Sequence, residues 1–172
     1  MKHKFFTKHF GSEGGISQLL VIAFPMVVSQ ACDTVMMFTD RLFLSQLSPI
    51  HMAASMSGGL TAFMFMTFFM GLTGYATPLV AQYLGSGKEK KCAIVITQAL
   101  IISVIAYPII LACIPVGHWL FEFVGHNQEQ LDLSIIYFDI LMYGTLIGLA
   151  RNSLNGFFCG IGKTRIVMIS SI

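Results

Sequence analysis

Two carboxylic acids, Asp33 and Asp40, lie inside an apolar segment that begins at Ile16. Bilayer hydrocarbon tolerates ionised groups only where water or a partner group reaches them, so such residues indicate ion or substrate pathways. A helix turns about 100° per residue, and a separation of seven residues returns both side chains to nearly the same face. The spacing therefore predicts an acidic stripe along one face of the first helix, suited to binding a proton or another cation.

Neutral polar side chains accompany this stripe. Gln30 precedes Asp33 by three residues, and Asn152 and Asn155 lie in a later apolar segment. We predict that Asp40, Asp33, Gln30, Asn152 and Asn155 bind the coupling ion or the substrate.

Arg151 is the one strongly basic residue deep in that later segment. Asp139 is twelve positions away in the same segment, which places the two side chains about 120° apart on an ideal helix. A direct pair is therefore not expected, and we predict that Arg151 extends along the helix toward the cytoplasmic interface.

The composition shows which elements must position these residues. Charged residues make up 10% of the chain, and the mean hydropathy is +0.76, both outside the range of soluble globular proteins. No ten-residue alternation typical of a membrane barrel is present. We predict an all-α, polytopic transmembrane bundle with four complete spans and a fifth that starts at Ile166, the complete ones near Gln18–Leu44, Met52–Leu84, Ala93–Phe121 and Leu131–Phe158.

The apolar segment after Ile166 is unfinished at Ile172. We therefore expect the chain to be the front part of a longer polypeptide, with a cytoplasmic segment over 1–15 and a partial transmembrane domain over 16–172. On that expectation the chain alone does not transport.

Most basic residues fall on one side if the spans alternate in direction. They are Lys2, Lys4, Lys8, Lys88, Lys90, Lys91, Lys163 and Arg165. Because positive charge is enriched in cytoplasmic loops, the N-terminus is predicted to be cytoplasmic, in the plasma membrane or bacterial inner membrane.

Proline and glycine positions predict the shape and packing of the spans. Pro25 removes a backbone donor and predicts a bend in the first span, either as a packing kink or as a moving part. Pro108 and Pro115 predict a bent or broken third span. In the fourth span small residues recur every four positions and predict a helix-packing face with Asn152 able to hydrogen-bond across it; the glycines are Gly144, Gly148, Gly156 and Gly160.

Sequence motifs of catalysis are absent. Gly160–Thr164 resembles the end of a phosphate-binding loop, but Phe157 stands where the motif needs its first glycine. The cysteines are singly spaced and indicate neither a metal site nor a disulfide framework. We predict that the protein is not an enzyme, needs no cofactor and binds no nucleic acid.

Four segments in order resemble the multidrug and toxin extrusion (MATE) transporters. They are Phe24–Pro25, Phe38–Phe43, Gly74–Gly85 and Asn155–Arg165. The resemblance covers nearly the whole chain after about residue 12, but only the front part of a family whose members have two similar six-helix lobes.

This resemblance implies an antiporter that exports cationic, amphipathic drugs or metabolites as H⁺ or Na⁺ enters. Asp40 matches the family's first-helix carboxylate, so the resemblance places the coupling ion, Na⁺ included, at Asp40. The implied partners are membrane lipid, a cationic small molecule and the remainder of the transporter. Asp33 is a less regular feature of the family pattern.

Two other functions are open. A flippase for lipid-linked precursors would be expected to line its cavity with several Arg or Lys residues, whereas these spans set Arg41 and Arg151 against Asp33, Asp40 and Asp139. A non-transporting membrane scaffold would explain the glycine face but would leave the acidic stripe without a purpose.

Overall fold

The computed structural model describes residues 16–125 and 127–171, apart from the side chain of Gln18. Within that part of the chain, seven helices follow one another and no strand is present. Their bounds are α1 Ile16–Leu47, α2 Pro49–Gly74, α3 Ala76–Gly85, α4 Glu89–Ala112, α5 Ile114–Val124, α6 Gln128–Gly160 and α7 Thr164–Ser170. The predicted all-α bundle is confirmed, while the predicted cytoplasmic segment 1–15 lies outside the described residues.

Four stretches of described helix are long and apolar enough to cross a membrane. They are Leu19–Leu47, Pro49–Gly85, Glu89–Ala112 and Gln128–Gly160. They agree with the four predicted spans, except that the third ends earlier than predicted. The helix after the fourth span, α7, begins at Thr164 rather than at Ile166.

The second span is interrupted at Tyr75, which the sequence analysis did not predict. Pro78 lacks an N–H group, so the carbonyl of Gly74 loses its helical donor. The hydrogen bonds around the break are long, at 3.3 Å from the Tyr75 N–H to the Gly71 carbonyl and 3.4 Å from the Leu79 N–H to the Tyr75 carbonyl. Proline three residues beyond Tyr75 therefore separates α2 from α3.

The third span breaks at Cys113, and Pro115 lies in the first turn of α5. A proline is tolerated there because the first N–H groups of a helix have no intrahelical acceptor. The predicted break in this span is confirmed. Helices α4 and α1 run through Pro108 and Pro25 as single helices, and the bend predicted at Pro25 stays a prediction.

Helix α6 is the centre of the bundle and packs against α2, α3, α4, α5 and α7. Its Phe138 is fully buried, with the rings of Phe121 and Phe65 packed edge-on at centroid distances of 5.5 Å and 6.1 Å. A Cβ added at Gly117 would lie 2.4 Å from the Phe138 ring. The Phe138 ring therefore occupies the space that a side chain at Gly117 of α5 would need.

The α2–α6 contact depends on another glycine. A Cβ added at Gly58 would lie 2.7 Å from the backbone oxygen of Ser134, closer than carbon and oxygen approach without a bond. Helices with small residues at the contact can bring their backbones this close. Gly58 therefore sets the distance between α2 and α6.

Two loops at one end of the bundle share a single geometry. Gly87 and Gly162 are left-handed, with φ of 71° and 75°. The N–H groups of Lys88 and Lys163 each donate to a carbonyl five residues earlier, at 2.9 Å, which completes a Schellman motif at the end of α3 and of α6. Gly162 therefore ends a helix, and the Gly160–Thr164 segment lies between two helices rather than after the strand that a phosphate-binding loop requires.

Helix α1 is less tightly held to the centre. It packs against α2 and α7, and in the described part of the chain it makes no extended backbone contact with α6. At its α7 side the hydroxyl groups of Ser29 and Ser171 lie 2.7 Å apart. The space left between α1 and α6 forms the cavity described next.

Candidate functional site

A cavity of about 240 Å³ with both polar and apolar lining groups lies between α1, α3, α6 and α7. We call it the α1–α6 cavity. Its lining residues are Met26, Ser29, Gln30, Asp33, Gly74, Thr77, Asn152, Asn155, Gly156, Cys159 and Val167. Four of the five residues predicted to bind ion or substrate thus line one cavity, whose polar side chains carry hydroxyl, amide and carboxylate groups.

Asp33 supplies the one carboxylate of the cavity lining. Its Oδ1 accepts a hydrogen bond from the Arg151 guanidinium, with 2.8 Å between Nη2 and Oδ1. The predicted extension of Arg151 to the membrane interface is wrong, because the guanidinium instead crosses to α1. The two helices run antiparallel, and this brings residue 151 opposite residue 33.

Asn152 lines the cavity, and its side chain is bonded to α2. Its amide Nδ2 donates to the Met70 carbonyl at 3.2 Å and to the Thr73 hydroxyl at 3.0 Å. The expectation that Asn152 hydrogen-bonds across a helix contact is confirmed, with α2 as the partner. These bonds hold the end of α2 against α6 next to the break at Tyr75.

Gln30 and Asn155 face each other across the cavity from α1 and α6. Asn155 is half-buried and Gln30 is exposed, and within the described residues neither side-chain amide makes a hydrogen bond to another part of the chain. An amide offers both donors and an acceptor. Both amide groups are therefore available to a ligand.

Asp40 lies apart from the cavity lining. Its side chain is exposed, and its Oδ2 accepts a hydrogen bond from the Tyr137 hydroxyl at 3.4 Å. Both carboxylates of α1 thus face α6, as expected for a stripe on one face. Asp40 lies two turns from Asp33 and has a different partner, and the binding roles predicted for the five polar residues stay predictions.

The glycine face of α6 is discontinuous. A Cβ at Gly156 would lie 2.8 Å from the Thr77 hydroxyl, and one at Gly160 would lie 2.8 Å from the Thr77 carbonyl oxygen. Gly148 has a looser contact, with the terminal methyl of Met66 at 3.3 Å, and among the described residues nothing lies within 4 Å of a Cβ at Gly144. The predicted packing face therefore lies against α3 at the C-terminal end of α6, and it does not extend to Gly144.

Asp139, which lies in the fourth span, is also paired. Its Oδ1 lies 2.7 Å from Nε2 of His118, so this pair links α5 to α6. Neither residue lines the α1–α6 cavity. In the described part of the chain no group of three or more His, Cys, Asp or Glu side chains is placed to hold a metal ion.

A second cleft, of about 550 Å³, lies between α2, α3 and α4 beside Tyr75. Its walls are mainly apolar, with Thr73, Tyr75 and Gln98 as the polar side chains, and no charged residue lines it. An ion or a charged substrate has no counter-charge there. The α1–α6 cavity is for this reason the better candidate site.

Several residues of the site were not identified from the sequence. Ser29, Thr77 and Cys159 line the cavity, and Tyr137 contacts Asp40. Thr77 lies beside Pro78, and a helix break inside a span is a known feature of binding sites in transporters. That proline was the available signal for Thr77, whereas Tyr137 had no local signal.

Comparison with known proteins places the whole described bundle in one group. The MatE family model matches residues 25–172. The probable multidrug resistance protein NorM of Synechococcus sp. is 27% identical, with 89% of this chain and 33% of the relative covered. The multidrug resistance proteins NorM of Vibrio cholerae and MdtK of Edwardsiella ictaluri are 24% and 28% identical, covering 89% and 88% of this chain and 34% and 33% of the relatives.

A solved structure has the same fold. It is a MOP superfamily transporter from Pyrococcus furiosus, described as having a binding pocket of reverse polarity that suggests a different function. The TM-score is 0.79 at 22% identity, over 90% of this chain and 34% of that chain. This chain spans about a third of the length of the curated relatives it matches.

Proposed function

The chain belongs to the MatE family, whose model matches residues 25–172, and on that premise we propose that it is part of a secondary active antiporter. The proposed antiporter exports cationic, amphipathic drugs or metabolites in exchange for H⁺ or Na⁺. The names of its relatives, multidrug resistance proteins NorM and MdtK, support export of varied compounds.

The observation that carries the proposal is that both carboxylates of α1 face α6, one of them from the lining of the α1–α6 cavity. Asp33 lines that cavity, and Asp40 lies on the same helix face two turns away. A carboxylate within a membrane-spanning bundle binds a proton, a metal cation or an organic cation, and each displaces the others. Exchange requires that ion binding and substrate binding influence each other, and two carboxylates on one helix can couple the two events through that helix.

We assign different tasks to the two carboxylates. Asp33 has the neighbours that an organic cation needs, since Gln30 and Asn155 offer amide groups and Met26 offers an apolar contact. Asp40 has a single neutral donor, the Tyr137 hydroxyl, and is proposed to bind the coupling ion. Tyr137 then holds the ionised carboxylate toward α6 until the ion arrives.

The proposed setting is a longer transporter in which residues 16–172 form part of an N-terminal lobe. The relatives are about three times the length of this chain, which is consistent with a larger protein. The loops at Lys88 and Lys163, which share one end of the bundle, are proposed to face the cytoplasm, and the membrane to be the bacterial inner membrane.

Cavity charge argues against the lipid-linked-precursor flippase. A pyrophosphate-bearing substrate needs several basic groups, and Arg or Lys does not occur in the lining of the α1–α6 cavity. Arg151 adjoins that lining, but its charge is balanced by Asp33. The described cavity is therefore better suited to a cation than to a polyanion.

Transport by the full-length protein in proteoliposomes tests the proposal. We expect Asp40→Asn to abolish ethidium movement driven by an H⁺ or Na⁺ gradient, because the amide cannot exchange a proton or hold a cation by charge. Insertion, measured by flotation with the vesicles, should be unchanged. Retained gradient-driven transport in Asp40→Asn would contradict the proposal, and an inert scaffold would show no transport in the unmodified protein.

A further inference from the structure

The Arg151 guanidinium occupies the position that a cationic ligand would take beside Asp33. Its Nη2 donates to Oδ1 of Asp33 at 2.8 Å, and in the described residues the second carboxylate oxygen, Oδ2, has no hydrogen-bond partner. The remaining lining of the α1–α6 cavity is uncharged. With the pair formed, the cavity thus presents no net charge to an entering cation.

Building on the proposed function, we propose that Arg151 is a tethered competitor for the substrate at Asp33. A cationic substrate binds the carboxylate only when the guanidinium has left it. Arg151 therefore determines both the affinity of the cavity and which cations can enter it.

The exposure of the pair shows that it can open. The side chains of Arg151 and Asp33 are 48% and 34% exposed, and the pair has one hydrogen bond rather than the two parallel bonds of a bidentate arrangement. Half-exposed, single-bonded ion pairs are weak compared with bidentate ones. An open form with a free Asp33 carboxylate is consequently populated.

The chemistry of the displaced bond specifies the substrate. Arg151 supplies an N–H donor to a carboxylate oxygen, so a protonated amine, amidinium or guanidinium replaces both the charge and the hydrogen bond. A quaternary cation replaces the charge alone and leaves the oxygen without a donor. We expect amphipathic cations with N–H groups to be preferred over quaternary ones.

Opening the pair also changes what holds α1. Among the described residues the side-chain hydrogen bonds between α1 and α6 are Arg151 to Asp33 and Tyr137 to Asp40, and the second is long at 3.4 Å. Displacement of Arg151 removes the shorter, charged bond. Substrate binding at Asp33 is thereby coupled to the attachment of α1, the helix that carries Asp40.

Binding of the fluorescent bis-amidine DAPI to the full-length protein in lipid nanodiscs tests this inference. The apparent Kd equals the intrinsic Kd divided by the fraction of molecules in which the pair is open. If the pair is closed about nine-tenths of the time, removing the guanidinium therefore lowers the apparent Kd about tenfold. We expect this decrease for Arg151→Gln and a near-normal Kd for Arg151→Lys. Tetraphenylphosphonium, a quaternary cation, should bind the unmodified protein more weakly than DAPI.

Two controls separate competition at Asp33 from a general effect of charge. Arg165→Gln removes the same charge from an exposed position outside the cavity and should leave the Kd unchanged. In an Asp33→Asn background, Arg151→Gln should give no gain. Each variant is accepted only if it elutes as a monodisperse species with the thermal midpoint of the unmodified protein.

An unchanged or raised Kd in Arg151→Gln, or an equal gain in the Asp33→Asn background, would overturn the inference. A different result would contradict the proposed function. A protein that shows the expected DAPI binding series but no gradient-driven transport would contradict the antiporter and leave competition at Asp33 intact.

Discussion

At the scale of single residues, two aspartates on one helix face receive different environments from the same neighbouring helix. Asp33 meets the charged Arg151 at 2.8 Å, and Asp40 meets the neutral hydroxyl of Tyr137 at 3.4 Å. The first carboxylate is neutralised by a partner and the second is not. This difference is the physical basis for assigning substrate to Asp33 and the coupling ion to Asp40.

The two cavity asparagines provide a test at the same scale. Asn152→Leu removes both hydrogen bonds to α2 and leaves the Met70 carbonyl without that donor, so we expect a loss of about 1–3 kcal/mol in stability. Asn155→Leu should leave stability nearly unchanged and weaken DAPI binding. Thermal unfolding in detergent and fluorescence titration measure the two effects.

The opposite pattern would contradict these assignments. A stable Asn152→Leu protein would show that the contact with Met70 and Thr73 contributes little. An Asn155→Leu protein that binds DAPI normally would remove that residue from the site.

At the scale of helices, glycine and proline decide where the bundle is close-packed and where it opens. Gly58 and Gly160 let α6 approach α2 and α3 at backbone distance. Pro78 interrupts the second span at Tyr75, directly before Thr77 enters the cavity wall. Tight contacts on one side of α6 thus coexist with a polar space on the side that faces α1.

Paired glycine substitutions test this division. Gly58→Ala places a methyl group 2.7 Å from the Ser134 backbone oxygen, and we expect a loss of about 1–3 kcal/mol as the helices separate. Gly144→Ala is the matched control, because nothing in the described residues lies within 4 Å of the added Cβ. It should be neutral or stabilise α6 by about 0.5–1 kcal/mol through helix propensity.

Thermal midpoints of the two variants, measured in the same detergent, give the comparison. Equal midpoints would contradict the close approach of α2 and α6 at Gly58.

At the scale of the whole molecule, α6 is the central helix of the described bundle, and α1 lies at its periphery with few bonds to α6. Helix α6 contacts five of the other described helices, whereas α1 packs against α2 and α7. Motion of α1 relative to α6 would therefore disturb few contacts among the described residues. A helix that carries both carboxylates and is loosely attached to the core is well placed to respond to a bound ion.

Orientation in the membrane is tested by cysteine labelling in intact cells. With the four native cysteines replaced, a cysteine at Lys90 should react with a membrane-impermeant maleimide only after permeabilisation, because basic loops stay in the cytoplasm. A cysteine at Glu129, which is exposed at the opposite end, should react from outside. Reversed labelling would contradict the proposed topology.

Much of the architecture was predictable from local pattern. The number of spans, their helical form and the break near Pro115 follow from apolar length and from proline chemistry, since a bilayer leaves backbone groups no partner except within the helix. The acidic stripe was predictable for the same reason, because helical rotation alone places Asp33 and Asp40 on one face.

The contacts between helices were decided only by the tertiary structure. Spacing along one helix says which residues share a face, but it does not say which residue of a distant helix lies opposite. Arg151 was expected at the interface and instead reaches Asp33, and the contact between Asp40 and Tyr137 had no signal in the sequence. Those pairings depend on how closely glycines let the backbones approach and on how each helix is rotated, which are properties of the assembled bundle.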